Sequence, residues 1–241
     1  MLKHVLRGVL DRFGLELLRK DAPGRFVDPF AELKHLGRPV RTVFDVGANV
    51  GVVSRRLARE HPSATIHAFE PVPETFATLE RNIQGMSNIR AHRLALGPGV
   101  TTRAMHLYED PCLNTFVDNA PFVTAFETTE RSSTMVDVTT LDAFCDSQEI
   151  DAIDLLKIDT EGFELDVLKG GAAMFSKRCV TFVVCEFTEI RRPTDADAAG
   201  FIEIHDFLAA HGFRLFMIQN DYVVPEKNYF AVRNALYVRS P

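Results

Sequence analysis

The stretch Val43-Phe44-Asp45-Val46-Gly47-Ala48-Asn49-Val50-Gly51 is a short apolar run that carries an acid and then passes through two glycines. Thr42 to Val46 reads as a buried strand, and Val50 to Glu60 as a helix with Arg55, Arg56 and Arg59 available to face water. Gly47 lets the chain turn tightly and leaves room for a ligand lying against the backbone. Gly51 permits close packing of the new helix on the strand, and the helix N-terminus offers unpaired N–H groups to that ligand. Dinucleotide-binding loops use the same layout to hold a pyrophosphate. Here Asn49 stands where the middle glycine of G-x-G-x-x-G belongs. An acid aimed at the site, Asp45, suits a cationic amino-acid moiety better than two phosphates.

Outward from this loop, strand and helix alternate. Ala64 to Phe69 is a second strand closed by Glu70 and the turn Pro71-Val72-Pro73, and Glu74 to Ile83 is helical. Ile89 to Leu96 is a third strand. Thr101 to Tyr108 and Ser133 to Val138 are strands of a hairpin with a long tip, or of a flap over the site. The regular order resumes with strand Ile153 to Ile158, helix Gly162 to Leu168, strand Val180 to Phe187 and helix Ala199 to His211. Phe213 to Ile218 and Leu236 to Val238 make a closing antiparallel pair. Such alternation predicts a mostly parallel sheet with helices on both faces. Residues 41–241 form the expected domain and 1–40 an N-terminal helical segment, while Arg191 to Asp197 reads as a loop.

Glu70 ends the second strand, from where a carboxylate can accept hydrogen bonds from both hydroxyls of a ribose. Pro71 and Val72 would lie against an adenine ring, with Leu94 and Ala95 as its far wall. The candidate cofactor-binding set is therefore Asp45, Gly47, Asn49, Gly51, Glu70, Pro71 and Ala95.

The chain of 241 residues suits one large α/β domain. Its net charge of -6 argues against a phosphate-backbone footprint, so no nucleic-acid partner is expected. The four cysteines, Cys112, Cys145, Cys179 and Cys185, form no C-x-x-C pair and read as reduced and mostly buried. Met1 to Lys20 has helical periodicity but is broken by Asp11 and Arg12, so it is neither a signal peptide nor a spanning helix. It packs on the domain or on a second subunit of a homo-oligomer. The alternative is an amphipathic helix resting on an anionic membrane. Localisation is expected to be cytoplasmic, or peripheral at the inner face of the membrane in that second case.

Three segments in order, Asp45-Val-Gly-Ala-Asn-Val-Gly51, Ala68-Phe-Glu-Pro71 and Leu155-Leu-Lys-Ile-Asp-Thr-Glu-Gly-Phe-Glu-Leu-Asp-Val-Leu-Lys-Gly170, resemble the FkbM family of S-adenosylmethionine-dependent methyltransferases. Thr139-Thr-Leu-Asp-Ala-Phe144 also fits, and the resemblance covers roughly Thr42 to Phe187. It implies a class I methyltransferase (Rossmann-like) three-layer sandwich, with a seven-stranded sheet whose last strand is antiparallel. It also implies S-adenosyl-L-methionine as cofactor and O-methylation of sugars or natural-product hydroxyls.

A hydroxyl is a poor nucleophile at neutral pH, so a base or a metal should help to remove its proton. Asp159 and Glu186 close adjacent apolar strands and are the candidate catalytic acids, with Glu161 either beside them or capping a helix. His205 is the preferred histidine base, ahead of His92 and His106. Asp159 and Glu186 could hold Mg²⁺, yet no spacing demands a metal and none is assigned. The leading expectation is O-methylation of a sugar hydroxyl in a small-molecule or glycan acceptor, such as a glycolipid or polysaccharide. A polyketide or other secondary-metabolite hydroxyl is the alternative, and an NAD-dependent oxidoreductase a remoter one.

Overall fold

The computed structural model describes residues 28–118, 120, 127–188, 200–224 and 230–240. The helix expected over Met1 to Lys20 and the loop expected over Arg191 to Asp197 lie outside them. The strands of the main sheet follow from unbroken apolar runs. They are β1 (Thr42–Val46), β2 (Thr65–Phe69), β3 (Ile89–His92), β7 (Ile153–Ile158), β8 (Val180–Phe187), β9 (Phe213–Val224) and β10 (Phe230–Arg239). Their spatial order is β3-β2-β1-β7-β8-β10-β9. Strands β3, β2, β1, β7 and β8 pair in parallel, whereas β10 runs antiparallel to both β8 and β9. This is the expected seven-stranded class I arrangement, with its last strand reversed.

Alternate residues of each run feed two separate cores. Phe44, Leu156 and Val183 point to one face, and Val43, Leu155, Phe182 and Val184 to the other. Both faces must therefore be covered, as parallel sheets require. The first core is closed by α4 (Leu141–Ser147), α5 (Glu164–Lys169), α6 (Ala172–Ser176) and α7 (Phe201–Ala210), through Phe144, Leu168, Phe175 and Leu208. The second is closed by α1 (Pro29–Leu33), α2 (Val52–Glu60) and α3 (Pro73–Asn82), through Phe30, Leu33, Leu57 and Leu79. Three layers result. Among the described residues no helix is long and apolar enough to cross a membrane. All four cysteines are free, with Cys112 exposed and Cys145 and Cys185 buried.

The third strand departs from expectation. The run Ile89 to Leu96 breaks after His92, and β4 (Ala95–Leu96) leaves the main sheet. Arg90 and Arg93 are both exposed three residues apart, and Ala95 and Leu96 are both buried, so the period of two fails in mid-run. Strand β4 pairs in parallel with β6 (Glu130–Thr139), whose other edge pairs antiparallel with β5 (Thr101–Tyr108). The expected hairpin is thus two strands of a separate three-stranded sheet. Its buried Met105, Leu107, Val136 and Val138 join the first core. Strands β9 and β10 also outrun their expected bounds, because Gln219, Asn220, Arg233 and Asn234 continue the ladder without an apolar pattern.

The turn after β1 is the tightest backbone crossing at the site. Gly47 has φ +76°, and a Cβ there would lie 1.8 Å from the carbonyl oxygen of Asp159. Gly85 has a similar φ of +82° but nothing within 4 Å of a built Cβ. The pair separates conformational strain from collision. In urea unfolding, Gly85→Ala should cost about 1–2 kcal/mol from left-handed strain alone. Gly47→Ala should cost about 3–5 kcal/mol, since overpacking against backbone adds to that strain. Equal losses would contradict the close approach.

Candidate active site at the ends of β1 and β7

Chain connectivity runs outward in both directions from the β1–β7 pair, since β2 follows on one side of β1 and β7 to β8 lie on the other. Ligands of open α/β sheets bind in the crevice at such a switch point, beyond the carboxyl ends of the strands. A cavity of about 320 Å³ lies there. Its lining includes Gly47 to Val50, Phe69 to Pro71, Leu94 to Leu96, Lys157, Asp159 to Glu161, Phe163 and Glu186, with Met105, Cys112, Asn114 and Phe116 from the small sheet and its loop.

The floor is organised by Lys157, whose side chain is only 5% exposed. Its ammonium lies 3.0 Å from Asp45 Oδ1 and 3.3 Å from Asp159 Oδ2, and donates to the Gly47 carbonyl at 2.9 Å. Burial alone would lower the lysine's pKa. The Asp159 and Asp45 carboxylates outweigh it and hold the ammonium above its ordinary range. Ser54 Oγ donates to the other oxygen of Asp45 at 2.5 Å.

Asp45 therefore has a different place from the one read in the sequence. It is fully buried beneath the loop, spent on Lys157 and Ser54, and does not line the cavity. A buried carboxylate needs such a cation, and the lysine two strand positions before Asp159 supplies it. Gly47 makes the expected tight turn and lines the cavity, and its missing side chain also makes room for the Asp159 carbonyl. Gly51, at φ +85°, clears Leu79 of α3, 2.6 Å from a built Cβ, so it serves packing between helices more than packing on the strand.

The loop over this floor hangs on the end of β2. The Gly47 and Ala48 N–H groups donate to the Phe69 carbonyl at 3.1 and 2.9 Å. Asn49 adopts φ +49°, which asparagine tolerates because its short amide can bond locally, and Asn49 Oδ1 accepts from Val50 N at 2.7 Å. Glu70 joins the two loops, accepting from Asn49 N at 3.1 Å on one oxygen and Val72 N at 2.9 Å on the other. Burial pushes the Glu70 carboxyl up to about 7 against the pull of those two amides and of Lys157, and Asp45 adds to the rise. Glu70, Pro71, Asn49 and Ala95 all line the cavity.

At the end of β7 the chain makes a strained turn, with Glu161 at φ +53° and Gly162 at +96°. This delays the helix, which starts at Glu164 instead of Gly162. The buried Glu164 carboxylate fastens the turn, accepting from Thr160 N at 2.8 Å, Thr160 Oγ1 at 3.0 Å and Gly162 N at 3.1 Å. Thr115 Oγ1 donates to the Glu161 carbonyl at 2.6 Å and so ties the small sheet's loop to the same turn. Asp159, Glu161 and Glu186 thereby converge, with carboxylate oxygens all within 4.8 Å of one another. Burial, then the neighbouring acids, raise the pKa of both Glu161 and Glu186 well above the carboxylate range. No metal ligands were assigned from sequence, yet the fold brings three hard oxygen donors together.

The histidines do not join this group. Helix α7 packs through Ile204 and Leu208, leaving His205 stacked on Phe201 with Nδ1 3.4 Å from the Tyr237 hydroxyl. It does not line the cavity, so the sequence's preferred base is displaced. His92 is stacked with His67 and Phe69, and burial lowers its pKa to about 4. His106 sits between Asp118 and Glu130, 2.7 and 3.0 Å away. Lys157 and Glu164 were missed as site residues. A lysine inside the apolar run Leu155 to Ile158 is itself a signal that a buried partner exists.

The Methyltransferase FkbM domain profile matches residues 45–215. Methyltransferase 1 of Beauveria bassiana is 32% identical over 144 residues, 53% of this chain and 57% of that protein. The 31-O-demethyl-FK506 methyltransferase FkbM of Streptomyces tacrolimicus is 40% identical over 77 residues, covering 32% and 30%. The 2-O-methyltransferase NoeI of Sinorhizobium fredii is 23% identical over 162 residues, covering 64% and 66%. The match spans under two thirds of the length of each of these relatives. A precorrin-6y C5,15-methyltransferase structure from Geobacter metallireducens covers 90% of this chain and 93% of its own at 12% identity, with a TM-score of 0.47. The fold assignment rests on strand order, not on that superposition. With its profile match across most of the domain, the chain belongs to the FkbM methyltransferase domain family, whose cofactor is S-adenosylmethionine.

Proposed function

We propose that this chain is an O-methyltransferase whose acceptor is a sugar hydroxyl, carried on a glycolipid or polysaccharide. The observation that carries the reading is one cavity bordered by Glu70 at the end of β2 and by Asp159 and Glu186 at the ends of β7 and β8. Strand order puts these on opposite sides of the β1 loop. Each Glu70 oxygen accepts one backbone N–H and retains acceptor capacity for a ribose hydroxyl. Pro71, Leu94 and Ala95 offer an apolar wall to adenine. The cofactor supplies an electrophilic methyl group on a sulfonium. The residues of this chain have to orient the acceptor oxygen in line with it, about 3–3.5 Å away, and accept the hydroxyl proton. Asp159 and Glu186 fit that second task.

Several carboxylates facing one cavity match an acceptor bearing several hydroxyls, as a sugar does, and the likeness to a 2-O-methyltransferase supports transfer to oxygen. The likeness to a 31-O-demethyl-FK506 methyltransferase favours a second reading, a secondary-metabolite hydroxyl. A lipid-linked acceptor would draw the enzyme to the inner face of the cytoplasmic membrane, with Met1 to Lys20 as the contact.

Calorimetric titration with S-adenosylhomocysteine should show binding, and NAD⁺ none; the reverse result would return the chain to the oxidoreductases. Asp159→Asn should cut methyl transfer to a sugar acceptor far more than it weakens cofactor binding, and full activity would remove Asp159 from the chemistry. A parallel panel of polyketide acceptors decides between the two readings.

Cofactor affinity should also report Glu70. The ionised carboxylate accepts from hydroxyls better than the protonated one. Binding should therefore be constant well above the Glu70 pKa of about 7 and weaken as pH falls through it. The limiting slope is about tenfold per pH unit. Glu70→Gln should flatten this profile and lower affinity by about 1–3 kcal/mol. An unchanged profile in that variant would take Glu70 out of the site.

A further inference from the structure

We propose that Asp159, Glu161 and Glu186 bind a hard divalent cation, of the Mg²⁺, Mn²⁺ or Ca²⁺ class, beside the acceptor. Among the described residues four carboxylates are buried: Asp45, Glu70, Glu164 and Glu186. Three have donors. Asp45 has Lys157 and Ser54, Glu70 has two backbone amides, and Glu164 has two amides and a hydroxyl. Glu186 is the exception. It is 8% exposed, and its side-chain hydrogen bond is to another acid, Asp159, so the two carboxyl groups need a shared proton or cation between them.

Its neighbours are acids instead. Glu186 is aimed into the cavity, where its oxygen and those of Asp159 and Glu161 lie within 4.8 Å of one another. The nearest cation, Lys157, is already engaged by Asp45, Asp159 and the Gly47 carbonyl. A buried carboxylate whose hydrogen-bond partner is another acid is costly, and three acids beside one already engaged lysine leave negative charge for a cation to offset. Oxygen donors without nitrogen or sulfur select hard cations. The strained turn at Glu161 and the Glu164 fastening hold one ligand on β7's end against another on β8's.

Three protein oxygens leave half of an octahedral shell for water and for acceptor hydroxyls. The catalytic part of the proposal rests on the reading of the cavity as a methyl-transfer site. A hydroxyl bound to the cation would be acidified, and its O–H bond would break with the proton passing to the free oxygen of Asp159 or Glu186. The freed oxygen pair forms the C–O bond as the methyl–sulfur bond breaks, and the sulfonium leaves as a neutral thioether.

The test is Mn²⁺ titration of the full chain followed by electron paramagnetic resonance, with Mg²⁺ and Ca²⁺ as competitors. The wild type should bind one Mn²⁺. Glu186→Gln and Glu161→Gln should each weaken it at least about tenfold, the loss of one charged ligand. Glu80→Gln, on an exposed helix face, should leave it unchanged. If either variant fails to fold by circular dichroism, the other decides, together with the rise in wild-type melting temperature on adding Mg²⁺. No Mn²⁺ bound to the wild type would overturn the proposal and leave the acids sharing protons only. Binding that survives both substitutions would overturn it as well. S-adenosylhomocysteine titrations of the same samples separate the two readings. Cofactor bound without metal sinks the cation alone, and metal bound without cofactor sinks the methyl-transfer reading alone.

Discussion

The buried ammonium of Lys157 is the constraint on which the site depends. It reaches from β7 across to β1, and so ties the acid of one strand, the carbonyl of its loop and the acid after the next strand to one charge. Desolvating Lys157 and Asp45 is unfavourable, and the pair stabilises the fold only through its close approach and the extra bonds from Ser54 and Gly47. Removing the lysine would strand Asp45 in the core, a cost of about 3–5 kcal/mol for a broken buried pair. The same geometry explains Gly47, since a loop drawn down onto Lys157 leaves no space for a side chain above Asp159.

From that tie the remaining parts take their places. The loop after β1 is pinned below by Lys157 and above by Glu70, which also pins the loop after β2. Glu164 does for the turn after β7 what Glu70 does for the other two. The small sheet covers the cavity from the side of the first core and is joined to the β7 turn by Thr115. Phe116 and Phe163 meet there with ring centroids 4.8 Å apart, and Arg103 lies over both. Carboxylate oxygens with acceptor capacity to spare face the cavity on Glu70 and on the three acids.

Much of this was legible in sequence because it is local. The strands Thr42–Val46, Ile153–Ile158 and Val180–Phe187 have the bounds their apolar runs predict. The glycine loop and the acid at the end of β2 fall where their patterns put them. Other features depend on distant residues and left no local trace. The break within Ile89 to Leu96 is driven by pairing of Ala95 and Leu96 with Val138 and Thr139, more than forty positions away. Asp45 looked free to face a ligand because its partner lies on another strand. His205 looked catalytic because it follows Glu186 in the chain, whereas its ring stacks on Phe201 and does not line the cavity. The convergence of Glu161 with Glu186 needs a left-handed residue that no sequence pattern announces.

The most direct test of this account is a crystal structure of the protein bound to S-adenosylhomocysteine. The account predicts ribose hydroxyls on the Glu70 oxygens, adenine against Pro71 and Ala95, and the sulfur facing Asp159 and Glu186. Lys157 should remain on Asp45 and the Gly47 carbonyl, untouched by the ligand. A ligand bound outside this cavity, or one that draws the Lys157 ammonium away from Asp45 to contact it directly, would contradict the assignment of Lys157 as the structural tie beneath the site.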